Sequence, residues 1–113
     1  MISDIKYEVV RPSGILDGTQ ANQLRKEINA QLEKESEVVL IDLKDVTFID
    51  SSGLGALVSA LKMVRTKGSK LFICSINDQI RMLFELTSMD RVFKVYKDEE
   101  KFKAEVFPNL KKG

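Results

Sequence analysis

The segment from Asp50 to Gly53, with the sequence Asp-Ser-Ser-Gly, places a carboxylate and two hydroxyls where a helix is predicted to begin. Such side-chain oxygens accept hydrogen bonds from the N–H groups that the first turn of a helix leaves unpaired. A serine there can also be phosphorylated, which adds about −1.5 to −2 charges at neutral pH. The positive end of a helix tolerates an anion, so the fold should survive the modification. The segment therefore predicts either helix capping alone or a cap that is also a regulatory phosphorylation site.

Two glycines, Gly53 and Gly55, fall in the first turn of the same helix. Each glycine within a helix costs about 1 kcal/mol relative to alanine, so a sequence selected only for stability would avoid them. Small residues let the backbone or a bulky side chain of another molecule come close. The glycines therefore indicate that this helix start contacts a partner.

The composition argues against catalysis by these serines. The sequence contains no histidine, which removes Ser-His-Asp and Cys-His chemistry and also the commonest metal ligand. No Gly-x-Ser-x-Gly segment is present, and no lysine has a spacing that indicates a base. We therefore expect a protein that is not an enzyme and that carries neither a metal nor a cofactor.

Gly53-Leu54-Gly55 also begins like a dinucleotide-binding fingerprint. The third glycine of that fingerprint is replaced by Val58, and no acidic residue follows at a strand end about 20 residues later. A P-loop sequence is absent as well. A small nucleotide-binding or enzymatic protein remains an alternative, which calorimetry with common nucleotides would test.

The charge balance and the cysteine content restrict the class of protein. The 113 residues include 18 Lys+Arg and 17 Asp+Glu, a net charge of +1, whereas nucleic-acid-binding proteins usually carry a basic excess. The single cysteine, Cys74, cannot form an internal disulfide and is interpreted as a small buried side chain. No apolar run is long enough to span a membrane, and Met1–Asp4 does not resemble a secretion signal. We expect a cytoplasmic protein without membrane or nucleic-acid partners.

Two hydrophobic periods alternate along the chain and predict the elements that hold Ser51. Apolar and β-branched runs predict strands at 5–10, 38–41, 48–49, 71–74 and 92–96, with a short extended piece at 15–16. Helical spacing predicts helices from Ala21 to about Glu35, from Ser52 to Thr66 before Gly68, after Asn77, and after Asp98. This alternation predicts an α/β fold, with a mixed, mostly parallel sheet of four to five strands and about four helices. Asp50 to Gly53 follows a strand end, where such folds carry their function.

We predict a single domain over residues 1–113, with a core from about 5 to 106 and a tail from 107 to 113. The two lysines near the end of the chain, Lys111 and Lys112, are interpreted as a solvated terminus. The isolated domain is expected to be a monomer.

The sequence around Ser51 resembles the signature of the STAS domain, and it is closest to the stand-alone bacterial anti-sigma factor antagonists. The resembling residues are Val39-Leu40-Ile41-Asp42-Leu43, Val46 and Phe48-Ile49-Asp50-Ser51-Ser52-Gly53-Leu54-Gly55-Ala56-Leu57. The resemblance extends from about Ile5 to Val106, and it includes Gly14-Ile15-Leu16-Asp17, Gly68, Leu71–Cys74 and Ile80–Leu86.

The resemblance implies a mechanism called partner switching. The unphosphorylated antagonist binds an anti-sigma factor that is also a serine kinase, and a sigma factor is released. The kinase then phosphorylates the serine directly after the aspartate, here Ser51, and a PP2C-type phosphatase reverses the step. The resemblance places Asp17 beside that serine and against the kinase. It gives Asp50, Ser52 and Gly53 the role of shaping the loop and the docking surface. Leu54 and Gly55 are predicted as partner-binding positions as well.

The sequence departs from the family pattern near Asp17. Family members often begin with a two-stranded hairpin, whereas only Ile5–Val10 precedes Pro12-Ser13-Gly14 here. Gly18 can also loosen the helix start that follows Asp17. These departures affect the expected shape around Asp17 more than the role of Ser51. Because some STAS domains are scaffolds, the resemblance also leaves a second hypothesis, in which the domain is a scaffolding or regulatory module of another kinase and phosphatase pathway with a non-transcriptional output.

Overall fold

Strands and helices alternate through residues 5–111, the part of the chain that the computed structural model describes. The strands are β1 (Tyr7–Val10), β2 (Gly14–Leu16), β3 (Val38–Asp42), β4 (Val46–Ile49), β5 (Lys70–Cys74) and β6 (Val95–Tyr96). The α-helices are α1 (Gly18–Glu33), α2 (Ser51–Thr66), α3 (Asp78–Leu86) and α4 (Glu99–Lys111), and a single 3-10 turn covers Met89–Arg91. The predicted α/β fold is confirmed. The predictions for Met1–Asp4 and for Lys112 lie outside the described residues.

The described strands form two sheets, in which every paired strand runs parallel to its neighbour. Four of them form the main sheet in the order β1-β3-β5-β6, and β2 pairs only with β4. In the short ladder Leu16 lies opposite Ile49, and a register shift separates Gly14 from Ile15. Because β2 leads into α1 and β4 leads into α2, both helices begin at the carboxyl end of the same ladder.

The main core lies between one face of the large sheet and the helices α1, α2 and α3. Helix α2 presents its buried side chains along one stripe, as its sequence spacing predicts. Strand β3 is buried along its whole length, which explains its uninterrupted apolar sequence. The core residues contributed by the two long helices are Ala21, Leu24, Ile28, Leu32, Leu54, Ala56, Leu57, Ala60, Leu61 and Val64.

The opposite face of the sheet is covered by α4. Phe102 is fully buried there with Val38, Leu40, Cys74 and Val106. Phe107 packs edge-on against Tyr7, with ring centroids 5.0 Å apart. This contact accompanies a difference from the sequence prediction, because the segment predicted as a tail continues α4 as far as Lys111.

The last strand is shorter than predicted because part of its apolar sequence packs in the core instead of pairing in the sheet. The sequence predicts a strand over 92–96, but only Val95 and Tyr96 pair with β5. Phe93 instead is buried in the main core and stacks on Phe84 at 5.6 Å between ring centroids. A buried aromatic side chain therefore produced an apolar pattern that resembles a strand.

Helix α2 ends at the predicted glycine. Gly68 has a φ of +78°, and its N–H donates to the carbonyl of Arg65 at 2.9 Å. The N–H of Ser69 donates to the carbonyl of Val64 at 3.0 Å. These two bonds form a Schellman motif, in which glycine adopts the left-handed conformation without a Cβ penalty.

Candidate functional site

The starts of α1 and α2 lie side by side. Asp17 is the N-cap of α1 and Asp50 is the N-cap of α2, and the residues before them, Leu16 and Ile49, are ladder partners. A Cβ added at Gly18 would lie 3.7 Å from the Cβ of Ser52. The short ladder therefore brings Asp17, which is distant in sequence, to the Ser51 segment.

Asp50 fixes the first turn of α2. Its carboxylate accepts a hydrogen bond from the N–H of Gly53 at 2.9 Å. Its own carbonyl accepts from Leu54 N–H at 2.9 Å, and its N–H donates to the carbonyl of Leu16 at 3.4 Å. The aspartate thus joins the helix start to both strands of the short ladder.

Asp17 caps α1 with a denser set of hydrogen bonds. One carboxylate oxygen accepts from the Thr19 hydroxyl at 2.6 Å and from the Thr19 N–H at 3.0 Å. The same oxygen accepts from the N–H of Gln20 at 3.3 Å. These bonds, above all the one from the Thr19 hydroxyl, lower the pKa of Asp17. The residue is therefore a carboxylate at neutral pH, next to the start of α2.

Gly53 is required by close packing of α2 against β2. A Cβ at this position would lie 2.0 Å from the carbonyl oxygen of Leu16 and 2.8 Å from Cγ1 of Ile49. Gly55 is different, because a Cβ there would meet nothing within 4 Å and the residue is exposed. Packing within the fold therefore explains why residue 53 is a glycine, but it does not explain why Gly55 is one.

Ser51 and Ser52 are both exposed at the first two positions of α2. The Ser51 hydroxyl can therefore be reached from solvent, as a kinase substrate requires. Asp17 and Asp50 are partly buried beside it. The site is a surface of hydroxyls and carboxylates at two helix starts.

The family-model comparison matches the STAS domain over residues 3–102, which is most of the chain. The chain belongs to the STAS domain family. A Listeria monocytogenes relative named anti-sigma-B factor antagonist is 31% identical over 83 residues, which cover 74% of this chain and 73% of the relative.

Solved structures share the fold of this STAS domain. A crystal structure from Thermotoga maritima, described as a candidate anti-sigma factor antagonist, matches with a TM-score of 0.81 and 28% identity, covering 94% of this chain and 91% of the other. SpoIIAA of Bacillus in its phosphorylated form matches with a TM-score of 0.66 and 18% identity, covering 89% of this chain and 92% of the other. At that identity the SpoIIAA match concerns the fold alone.

The predicted partner-binding residues of this STAS domain divide into two groups. Ser51, Ser52 and Gly55 are exposed, whereas Gly53 is buried and Leu54 is only 8% exposed. The side chain of Leu54 belongs to the main core. Gly53 and Leu54 therefore hold α2 in place, whereas Ser51, Ser52 and Gly55 lie at the surface beside the two partly buried aspartates.

Sequence reasoning missed Gln79, which holds the strand before Ser51. Its side-chain oxygen accepts from the N–H of Ile49 at 2.9 Å, and its side-chain nitrogen donates to the Ile49 carbonyl at 2.8 Å. Asn77, predicted only as a helix cap, also donates to the carbonyl of Thr47 at 3.1 Å. These two side chains form hydrogen bonds with main-chain groups of β4, as a neighbouring strand would. Nothing in the local sequence marks a glutamine in a first helical turn for this role.

The remaining sequence predictions concern Cys74, metal binding and membrane-spanning helices. Cys74 is fully buried, which confirms its interpretation as a core side chain, and burial raises its pKa to about 11. Within residues 5–111 no cluster of His, Cys, Asp and Glu could hold a metal ion. No helix in this part of the chain is long and apolar enough to cross a membrane.

Proposed function

We propose that this STAS domain is an anti-sigma factor antagonist that works by partner switching. In its unphosphorylated form it binds an anti-sigma factor that is also a serine kinase, so that a sigma factor is released. The kinase phosphorylates Ser51 and thereby ends the binding, and a PP2C-type phosphatase restores it. The observation that carries the proposal is the exposed Ser51 hydroxyl at a helix start, flanked by a second helix start.

The surroundings of Ser51 favour a switch that leaves the fold intact. The positive end of the α2 dipole lies at this residue, so an added phosphoryl group is compatible with the helix. Open space lies next to Gly55, since a Cβ added at that residue would have no neighbour within 4 Å. The modification therefore changes the surface without disturbing the core.

The same surroundings make the phosphoryl group unfavourable for a docked partner. It adds bulk and about −1.5 to −2 charges next to the carboxylates of Asp17 and Asp50. A partner that packs closely on the two helix starts would have to remove water from this dianion. Loss of binding is then the expected result. The relatives named anti-sigma factor antagonists support this assignment of the partner.

Binding of Ser51 variants to the anti-sigma factor kinase from the same genome tests the proposal. We expect Ser51→Ala to bind as tightly as the wild type, and to resist phosphorylation. We expect Ser51→Asp to bind at least about tenfold more weakly, which corresponds to about 1.4 kcal/mol. Asn109→Asp is the matched control, because Asn109 is an exposed residue of α4, on the opposite face of the main sheet, and it should bind normally.

Equal affinity of Ser51→Ala and Ser51→Asp would contradict the switch. Phosphorylation by the purified kinase at Ser51, measured by mass spectrometry, separates the switch from the scaffolding hypothesis, because a scaffold need not be a substrate.

A further inference from the structure

Two large apolar side chains face solvent on the short ladder just before the candidate site. Ile15 of β2 and Phe48 of β4 are register partners, and they are 55% and 45% exposed. Their neighbours Leu16 and Ile49 are each only 1% exposed. Because side chains alternate along a strand, burial of Leu16 and Ile49 turns Ile15 and Phe48 outward.

Helix α3, which packs beside β4, carries two further exposed apolar side chains. Gln79 bonds to the main chain of Ile49, so the first turn of α3 lies against β4. Met82 and Leu86 follow Gln79 by three and seven residues, which places them on the same side of the helix. They are 60% and 77% exposed. We call the four side chains Ile15, Phe48, Met82 and Leu86 the apolar face.

The apolar face leads directly into the candidate site. Ile15 is two residues before Asp17, and Phe48 is three residues before Ser51. Scattered exposed apolar residues are ordinary on a protein surface, but several on adjoining elements indicate an interaction site. A protein that docks on the two helix starts would therefore cover at least Ile15 and Phe48.

The charges around the apolar face are mostly negative, although the whole chain has a net charge of +1. The segments 15–20, 44–52 and 77–86 contain five acidic residues and two basic ones: Asp17, Asp45, Asp50, Asp78 and Glu85, against Lys44 and Arg81. Complementary charge at an interface mainly sets the association rate and the partner choice. The matching surface on the partner should therefore be apolar at its centre and basic at its rim.

We propose that the apolar face is the docking surface for the anti-sigma factor, which presents an apolar patch surrounded by basic residues. This inference rests on the proposed function. Phosphorylation of Ser51 opposes binding to such a partner only through the bulk and the hydration of the phosphoryl group, which must outweigh its attraction to the basic rim.

The inference is tested by affinities for the cognate anti-sigma factor kinase, measured by isothermal titration calorimetry. Phe48→Thr and Ile15→Thr keep strand-compatible side chains, and Met82→Gln keeps a good helix former. We expect Phe48→Thr to weaken binding at least about tenfold, a loss of about 1.4 kcal/mol, and Ile15→Thr and Met82→Gln to weaken it measurably. Binding by the wild type should also weaken as salt is raised.

Val92→Thr is the matched control, because Val92 is 38% exposed and lines a different groove with Leu61 and Lys94. It should bind like the wild type. Wild-type affinity of Phe48→Thr, Ile15→Thr and Met82→Gln together would overturn the docking surface while leaving the Ser51 switch standing. Failure of the unmodified wild type to bind would instead overturn the proposed function, and this inference with it.

Discussion

Asp50 is the residue on which the geometry of the Ser51 segment depends most directly. Its carboxylate satisfies the Gly53 N–H, one of the donors that a helix start leaves unpaired. Replacing an aspartate cap by alanine costs about 1 kcal/mol. We expect Asp50→Ala to lower the free energy of unfolding by about this amount, measured by urea denaturation. Asp50→Ser, which keeps a capping oxygen, is the control and should retain most of the stability.

The pKa of Cys74 predicts how the stability of the fold changes at alkaline pH. Burial raises its pKa to about 11, above the value of about 8.5 for an exposed thiol. The folded state therefore keeps its proton longer than the unfolded state. This contribution to stability is fully present below about pH 8.5 and is lost as the pH rises through about 11.

The measurement is the free energy of unfolding of the wild type and of Cys74→Ala between these pH values. We expect the wild type to lose more stability with rising pH than Cys74→Ala does. Since the pKa values of Tyr7 and Tyr96 are also raised, chiefly by burial, the difference between the two proteins is the informative quantity. If the free energy of unfolding changed with pH in the same way for both proteins, the raised pKa of Cys74 would be contradicted.

At the scale of elements, the two glycines of α2 have opposite roles. Gly53→Ala would place a Cβ 2.0 Å from the Leu16 carbonyl oxygen, so we expect a loss of at least about 1–3 kcal/mol, typical of overpacking. The Cβ added by Gly55→Ala would have no neighbour within 4 Å, so this variant should raise the free energy of unfolding by about 0.5–1 kcal/mol. Urea denaturation of the two variants measures both effects. A gain in stability from Gly53→Ala would show that the start of α2 is not held against β2.

Gly55→Ala also connects stability to binding. If a partner approaches α2 as closely as we propose, the added methyl group should weaken binding while it strengthens the fold. Unchanged affinity for the anti-sigma factor kinase would remove Gly55 from the docking surface. The glycine would then have no explanation in the structure.

The elements around Ser51 could be predicted from sequence because each has a local signal. The stripe from Leu54 to Val64, the cap at Asp50 and the glycine at Gly68 together define α2. The predicted helix start at Ser52 differs by one residue from the observed start at Ser51. Local capping chemistry is therefore sufficient to place the serine.

The tertiary contacts of the site could not be predicted in the same way. Whether β2 and β4 join the main sheet or form their own ladder depends on pairing between residues about 30 positions apart. Gln79 reaches Ile49 across the same distance. The exposure of Phe48 also depends on this ladder, since Phe48 and Ile49 are both apolar in the sequence. Only the three-dimensional arrangement decides which of them enters the core.

At the scale of the whole molecule, the exposed side chains of the Ser51 surface lie apart from the contacts that α4 makes. The polar contacts of α4 are made at the opposite side of the main sheet, where Arg11 bridges Asp42 at 3.1 Å and Glu99 at 2.8 Å. Tyr7 adds a hydrogen bond to Glu99 at 2.9 Å. None of these residues takes part in the Ser51 surface. The molecule can therefore change its surface chemistry at the two helix starts while the packing of both sheet faces stays unchanged.

The most direct test of this account compares the protein phosphorylated on Ser51 with the unphosphorylated protein. Isothermal titration calorimetry with the cognate anti-sigma factor kinase gives both affinities, and urea denaturation gives both stabilities. We predict that phosphorylation weakens binding at least about tenfold and changes the free energy of unfolding by less than about 1 kcal/mol, the range of charge effects at a helix end. Equal affinity of the two forms, at equal stability, would contradict the central claim that Ser51 lies where the partner docks.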